Sequence, residues 1–367
     1  MRIKLAQLLE RLKTFYHDHE PACTAGFFAA GFLFDILAVG RIDRLHNVIH
    51  QATYLLLCAF FTGLELRERY GRFTPPERLK TAWRYHVGVT HFMLGTLLNI
   101  YTLFYFKSAS LGVSLAFLLF LVAILAVNEM KPFESSGVLL RMSLFSLCLV
   151  SYFTYLVPML VGRLGTLPFL GSLAGASVCI AGLTWWLYTA LPDQKPAVRR
   201  RVVYPFAFIA VVFAGLYFGK IIPPVPLSLS EIGVYHQVVR EGGRFKLSMT
   251  RSRWKFWQHG DQSFLARPGD AVYCWVVVFA PVNFRERLQV RWFSEGPEGW
   301  IKHDTIPLPI AGGRDDGWRG FTAKANYTPG NWRVAIITSD NRELGRIDLT
   351  ISDDGSTAPR SPRVLWR

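Results

Sequence analysis

The sequence predicts a multidomain membrane protein, an all-α bundle of about seven transmembrane helices followed by an all-β, immunoglobulin-like sandwich. Three observations carry this. Up to about Lys220 the chain is a series of long apolar runs separated by short charged loops. Beyond Lys220 charges are interspersed, and apolar residues alternate with polar ones at the two-residue period of half-buried strands. Between the regimes lies "KIIPPVPLSLS", Lys220–Ser230, whose prolines make a stiff connector. The expected divisions are a surface segment over 1–20, the bundle over 21–220, a linker over 221–230, the sandwich over 231–353 and a disordered tail over 354–367.

Each apolar run is judged against the ~20 residues that a lipid-spanning helix needs. Seven meet that criterion: Ala22–Val39, Val48–Leu66, Val87–Phe106, Leu111–Asn128, Met142–Val161, Leu167–Leu191 and Val203–Gly219. Ahead of them, Leu5, Leu8, Leu9, Leu12 and Tyr16 recur at helical spacing among Arg2, Lys4, Arg11 and Lys13. That pattern predicts an amphipathic helix lying on the cytoplasmic surface and not a cleaved signal. "GSLAG", Gly171–Gly175, permits close helix approach, read first as packing within the bundle and second as dimerisation.

The net charge is +15. A basic protein raises a nucleic-acid reading, but residues 1–220 carry +10 of that charge mainly in the loops between apolar runs. Alternate loops hold 16 basic residues on one side and 5 on the other. The positive-inside rule then places the N-terminus in the cytoplasm, and an odd number of spans places the C-terminal region outside. The five cysteines show neither CxxC nor zinc spacing, and each is expected to be a small buried hydrophobe.

Ionisable residues inside spans are costly and often functional. Asp35, in "FLFDILAVGRID", is the clearest case. His50, Asn99, Tyr54 and Tyr101 are expected near the same outer half, where they would form with Asp35 either an ion, proton or ligand site or a structural polar cluster. Glu65 and Glu129 fall at cytoplasmic helix ends, where they would face water or headgroups.

In the C-terminal half, strands are expected over Gly233–Arg240, Arg244–Thr250, Ala271–Phe279, Arg287–Phe293, Asp304–Pro309, Gly320–Tyr327, Trp332–Thr338 and Arg346–Ile351. "AVYCWVVVFAP" is apolar on both faces, as a central strand is. "NWRVAIITSDNRELGRIDLTI" reads as a hairpin turning at Ser339-Asp340-Asn341.

The segments "YCWVVVFAP", "LQVRWFSEGPEGW", "GGRDDGWRGFTAKANYTPGNWRVAIIT" and "GRIDLTI" together resemble a bacterial C-terminal domain of unknown function, the twenty-nine-fourteen family, over about Leu227 to Asp353. "PGNWRV" is the most specific part; where the family has a strand ending in His-Trp-Tyr/Arg, this chain has "VRWF". The membrane half, through "GFLFDILAVGRID" and "FYFKSAS", is similar to a companion uncharacterised polytopic family. The resemblance implies a bacterial inner-membrane protein and supplies no activity.

Two Trp-Arg pairs stand out. Trp332 alternates with Val334 and Ile336 and is expected in the core. Trp318, Arg319, Arg333 and Arg314 are the surface candidates, either as a cation–π brace or as a site for an anionic glycan, lipid headgroup or peptide. Trp254 and Trp257 in "RSRWKFWQHG" read as a contact with outer headgroups or as aromatics partly buried under the sandwich. His236, His259 and His303 with Asp261, Asp304, Asp315 or Asp316 lack metal-ligand spacing. No Gly-x-Ser-x-Gly, HExxH, P-loop or paired-carboxylate signature occurs.

The expectation is therefore non-enzymatic: a bilayer-embedded bundle that anchors or transmits, and a periplasmic sandwich that binds a protein or envelope polymer, with no cofactor, metal or nucleic acid. The alternative expectation is a transporter or lipid-handling enzyme centred on Asp35.

Overall fold

The computed structural model describes residues 44–110, 114–115, 117–121, 137–314, 316–356 and 358–367. The N-terminal half is helical and the C-terminal half is β-rich. The long helices are α1 (Leu45–Arg69), α2 (His86–Ser108), α3 (Val138–Val161), α4 (Thr166–Ala190) and α5 (Tyr204–Phe218). Short helical turns over Pro192–Val203 lead directly into α5. Among the described residues, five helical segments are long and apolar enough to cross a membrane, the last running Pro192–Phe218. They correspond to five of the seven expected spans. The run Ala22–Val39 and most of Leu111–Asn128 lie outside the described residues, as do Asp35 and Glu129.

The helices pack through small residues where the sequence supplies them. Gly175 of α4 faces Phe153 of α3, whose ring atoms would lie 2.8 Å from an added Cβ, and Gly171 faces Val157 at 3.4 Å. The GxxxG motif thus packs α4 onto α3 within the chain, as first read. Helix α3 ends at Gly162 in the left-handed conformation, φ 75°, a backbone state that glycine adopts without steric cost. Only four residues separate it from α4.

Glu65 corrects its sequence reading. It is largely buried and ion-paired with Arg141, which lies inside α3 and is 4% exposed. His86 approaches the same carboxylate at 3.9 Å and stacks on Trp83 at 4.0 Å. Trp83 in turn donates to Glu68 at 2.6 Å. A charge buried away from water needs a partner, and here the partner is on another helix, where a sequence pattern does not register it.

Among the described residues eleven strands follow: β1 (Ser228–Tyr235), β2 (Gln237–Glu241), β3 (Arg244–Met249), β4 (Ser263–Ala266), β5 (Val272–Phe279), β6 (Arg285–Gly296), β7 (Gly299–Ala311), β8 (Trp318–Lys324), β9 (Gly330–Ile337), β10 (Glu343–Asp353) and β11 (Arg363–Trp366). They form three sheets, ordered β1-β5-β8, β4-β10-β9-β6-β7 and β11-β3-β2. The sheets do not close into a barrel. Val272, Cys274, Val276 and Val278 of β5 pack in one core with Val290, Trp292, Trp332, Val334 and Ile336 of the five-stranded sheet. Trp275 and Val277, on the opposite face of β5, pack in a second core with Val238 and Leu247 of the β11-β3-β2 sheet. This explains why "VYCWVVVF" is apolar on both faces.

Three strand readings differ from the sequence expectation. Gly233–Arg240 divides at His236 into the end of β1 and most of β2, and these two strands enter different sheets. Ser263–Ala266 is a strand, running parallel to β10. The tail expected to be disordered contains β11, which pairs antiparallel with β3 through Arg363↔Met249 to Trp366↔Lys246. Arg367 then closes the strand by a bidentate contact with Glu231, at 2.9 and 3.0 Å. Strands of four residues are too short for periodicity to announce them.

Candidate functional site

The helical and β-rich halves meet at the β9–β10 turn. Thr338, Asp340 and Arg342 form its polar core. Arg342 donates from Nε to Asp340 at 2.8 Å and pairs with it from Nη2 at 2.7 Å. Its Nη1 reaches the Pro223 carbonyl of the connector at 3.3 Å. The guanidinium lies 4.9 Å from the ring centroid of Tyr217, near the end of α5, and the Tyr217 hydroxyl donates to Asp340 at 3.2 Å. Arg342 is buried and the Asp340 side chain is 12% exposed. Burial alone would raise the Asp340 carboxyl; the Arg342 guanidinium, with hydrogen bonds from Thr338 and Tyr217, outweighs it and holds the group below its usual range.

Further contacts extend this junction. The Leu164 amide, between α3 and α4, donates to Glu286 at 3.1 Å. The Arg285 amide donates to the Gly162 carbonyl at 2.9 Å. Ser110, beyond α2, hydrogen-bonds to Glu343. Tyr217 stacks on Phe169 at 3.8 Å, nearly parallel. A cavity of about 20 Å³, lined by Tyr105, Thr154, Phe169, Tyr217 and Arg342 among others, remains behind the turn. It has room for about one water. Such an arrangement holds the β-rich half to the helices through charge and aromatic contact as well as through the connector.

A second feature lies at the end of β1 remote from the connector. The loop between β3 and β4 exposes Trp254, Phe256 and Trp257 to 64%, 81% and 55%. Beside them stand Arg251, Arg253 and Lys255. Asp261, 2% exposed, pins the loop base by accepting from the amides of Thr250 at 2.9 Å and Arg251 at 2.7 Å. Gly260 has φ +76°, and an added Cβ would sit 2.0 Å from the Val234 carbonyl oxygen, so only glycine lets the loop close onto β1. Val234 is about 20 Å along the strand from Ser228 at the rise of a β-strand. The aromatics are not buried under the sheets, which corrects the reading of them as partly buried aromatics.

His236 sits beside this pin. Its Nε2 is 3.2 Å from the Thr250 hydroxyl and 3.6 Å from Asp261. Burial, with Arg360 next in weight, pushes the imidazole down to about 4, so it is neutral near pH 7. Burial likewise raises the Asp261 carboxyl, against the two amide hydrogen bonds that lower it. Among the described residues no group of three or more His, Cys, Asp or Glu side chains is arranged to hold a metal ion.

The Trp-Arg pairs separate into different roles. Trp332 is 1% exposed, and its indole donates to the Thr328 carbonyl at 2.8 Å. Arg333 points outward, 4.1 Å from the ring centroid of Trp300, and binds Asp348 at 2.7 and 2.9 Å. Trp318 is half-buried and folds back over Gly320, where an added Cβ would meet the indole at 2.2 Å. Arg319 pairs with Asp316 at 3.4 Å, and Arg314 is exposed.

The intramembrane candidates also divide. The rings of His50 and Tyr54 meet at a tilt of 58° along α1, centroids 4.2 Å apart, with His50 exposed. Tyr101 is buried and packs against Tyr155 at 6.3 Å, while Asn99 is half-buried on α2. Sequence reasoning missed Gln51, 1% exposed, which accepts from Tyr155 at 2.9 Å and joins α1 to α3. It also missed Arg342, because nothing local distinguishes a buried arginine from a solvated one.

No curated protein matches the chain. Among solved structures, that titled Pseudomonas fluorescens alkylpurine DNA glycosylase AlkC bound to DNA containing an abasic site analog aligns with 86% of this chain and 99% of its own, at 12% identity and a TM-score of 0.19. That score carries no argument about fold or activity. Residues 285–351, which run from the start of β6 almost to the end of β10, match the family described as "Protein of unknown function (DUF2914)".

Proposed function

We propose that the protein is a non-enzymatic, multi-pass inner-membrane protein whose β-rich half, of immunoglobulin-like kind and on the periplasmic side of about seven spans, binds a protein or envelope polymer. The β3–β4 loop is the binding surface. The observation that carries this is the exposure of Trp254, Phe256 and Trp257 on a loop held in place by Asp261 and Gly260. Clustered exposed aromatics beside arginines are the composition of binding hot spots, and a pinned loop loses little entropy on binding. Arg333 is less suited to the task, since Asp348 and Trp300 already occupy it. The placement in a bilayer is supported by the five long apolar helices and by large apolar side chains directed outward from them, such as Leu56, Val178 and Phe208. The junction at Arg342 supports a transmitting or anchoring role, because it couples the β-rich half to α5. The transporter or lipid-handling alternative rests on Asp35, which lies outside the described residues.

The test is photocrosslinking in cells from a probe placed at position 256 of the full chain. The expected result is a discrete crosslinked band that disappears when Trp254 and Trp257 are both changed to Ser. Sensitivity of the band to protease or to a muramidase then separates a protein partner from a glycan. A crosslinking pattern unchanged by the two substitutions, in a chain that still reaches the membrane, would remove the loop from binding.

A further inference from the structure

We infer that the protein carries a binding site for one anionic phospholipid, in a groove between α1, α3 and α4. The groove encloses about 570 Å³ and is lined by Leu56, Phe60, Phe145, Phe153, Leu183 and Trp186, among others. Its walls are almost wholly apolar, which suits an acyl chain. This rests on the reading that these helices span a bilayer.

The charge at one end selects the headgroup. Trp186 closes the groove toward the C-terminal ends of α1 and α4, where it stacks on Phe60 at 6.3 Å and lies against Gly63. The Arg67 guanidinium lies 5.6 Å from the Trp186 ring centroid. The Arg67 Nε is buried and has no hydrogen-bond acceptor among the described residues. Arg69, Arg72, Arg199, Arg200 and Arg201 belong to the same expected cytoplasmic side. A phosphate beside the Arg67 guanidinium would accept from its outer nitrogens and partly neutralise this end. Ala52, at the other end of the groove, is about 22 Å from Arg67 along α1 at the rise of an α-helix. That is about one leaflet with its headgroups, so a single lipid of the inner leaflet spans the distance from guanidinium to groove end.

Two residues make the site testable. Gly182 lines the groove, and a Cβ added there meets nothing within 4 Å, so Gly182→Phe projects into the space without displacing a neighbour at its root. Cys179 lines the same groove and is exposed, whereas Cys58, Cys148 and Cys274 are buried. Because Cys23 lies outside the described residues, alkylation is read on the Cys179 peptide by mass spectrometry, which reports occupancy without any substitution.

The experiment uses the full chain purified in detergent and native mass spectrometry with dioleoyl phosphatidylglycerol or dioleoyl phosphatidylcholine. We expect one phosphatidylglycerol retained at least about five-fold over phosphatidylcholine. Arg67→Gln should bring that preference below about two-fold, and Gly182→Phe should abolish retention of both lipids. In wild-type protein, phosphatidylglycerol should slow alkylation of Cys179 by N-ethylmaleimide several-fold more than phosphatidylcholine does. Equal retention of the two lipids by wild type overturns the headgroup assignment. Undiminished retention by a folded Gly182→Phe chain, or a Cys179 rate indifferent to lipid, overturns the site and assigns the groove to another segment of the chain. Release of the chain from membranes by alkaline carbonate would instead overturn the spanning reading, a separate outcome.

Discussion

The guanidinium of Arg342 rests over the ring of Tyr217, 4.9 Å from its centroid. A residue of the β9–β10 turn thereby packs on a residue near the end of α5, while both contact Asp340. This relationship ties the hairpin to the helices more tightly than the connector alone would. Removing one member of a buried ion pair leaves the other charge uncompensated, at a cost of about 3–5 kcal/mol. Arg342→Ala should therefore lower the thermal stability of the detergent-solubilised chain by about that amount, and the double change with Asp340→Ala should recover part of the loss. Tyr217→Phe, which removes one hydrogen bond to a charged group, should cost about 1.5–3 kcal/mol. A loss below about 1 kcal/mol for Arg342→Ala would mean that the junction is solvated and does not hold the halves together.

Arg333 offers a contrast. Its side chain is 22% exposed and its partner Asp348 is 54% exposed, so the pair is screened by solvent. Exposed ion pairs and cation–π contacts contribute about 0.2–1 kcal/mol each. Arg333→Ala should lower stability by no more than about 2 kcal/mol and leave crosslinking from position 256 unchanged. Loss of crosslinking in a chain of near-normal stability would restore Arg333 to the binding surface.

His236 predicts a pH dependence. Its folded value is about 4 against 6.5 for the free side chain, so the unfolded chain binds a proton at pH values where the folded chain does not. Stability from this group is full above about 6.5 and is lost as the pH falls towards about 4. Between pH 7 and pH 5 the loss should be about 2 kcal/mol, followed by denaturant unfolding at each pH. Asp261, whose value is raised, works in the opposite direction nearer its unfolded value of 3.8. His236→Asn should flatten the dependence between pH 5 and 7; an equally steep profile in that variant would place the titration elsewhere.

The C-terminal strand should matter although it has four residues. β11 covers the edge of β3, and Leu365 packs against the core containing Leu247 and Trp275. Ending the chain after Pro362 uncovers that strand edge and removes the Arg367–Glu231 contact. Faster hydrogen exchange over Phe245–Met249 is expected, with exchange in β9 unaffected. Unchanged protection of β3 would show that its edge is closed by other means.

Much of the architecture was legible from local pattern. Apolar runs marked α1 to α5, alternation put Trp332 in the core, and the two-faced β5 declared itself a central strand. These readings hold because periodicity records which face of an element meets water, and that is a property of neighbouring residues. The pairing of charges was not legible. Glu65 finds Arg141 across α1 and α3, and Arg342 reaches back to Tyr217 and Pro223. Likewise, the sequence marked "RSRWKFWQHG" as aromatic and basic but did not decide between buried and exposed. The sequence by itself determined the helical half, the β-rich half and most strand faces. The tertiary structure alone decided which charges are buried, which aromatics stay in solvent and where the two halves lock together. The physical reason is that burying a charge or ordering a loop depends on partners brought close by the fold, and those partners are separated in sequence by many residues.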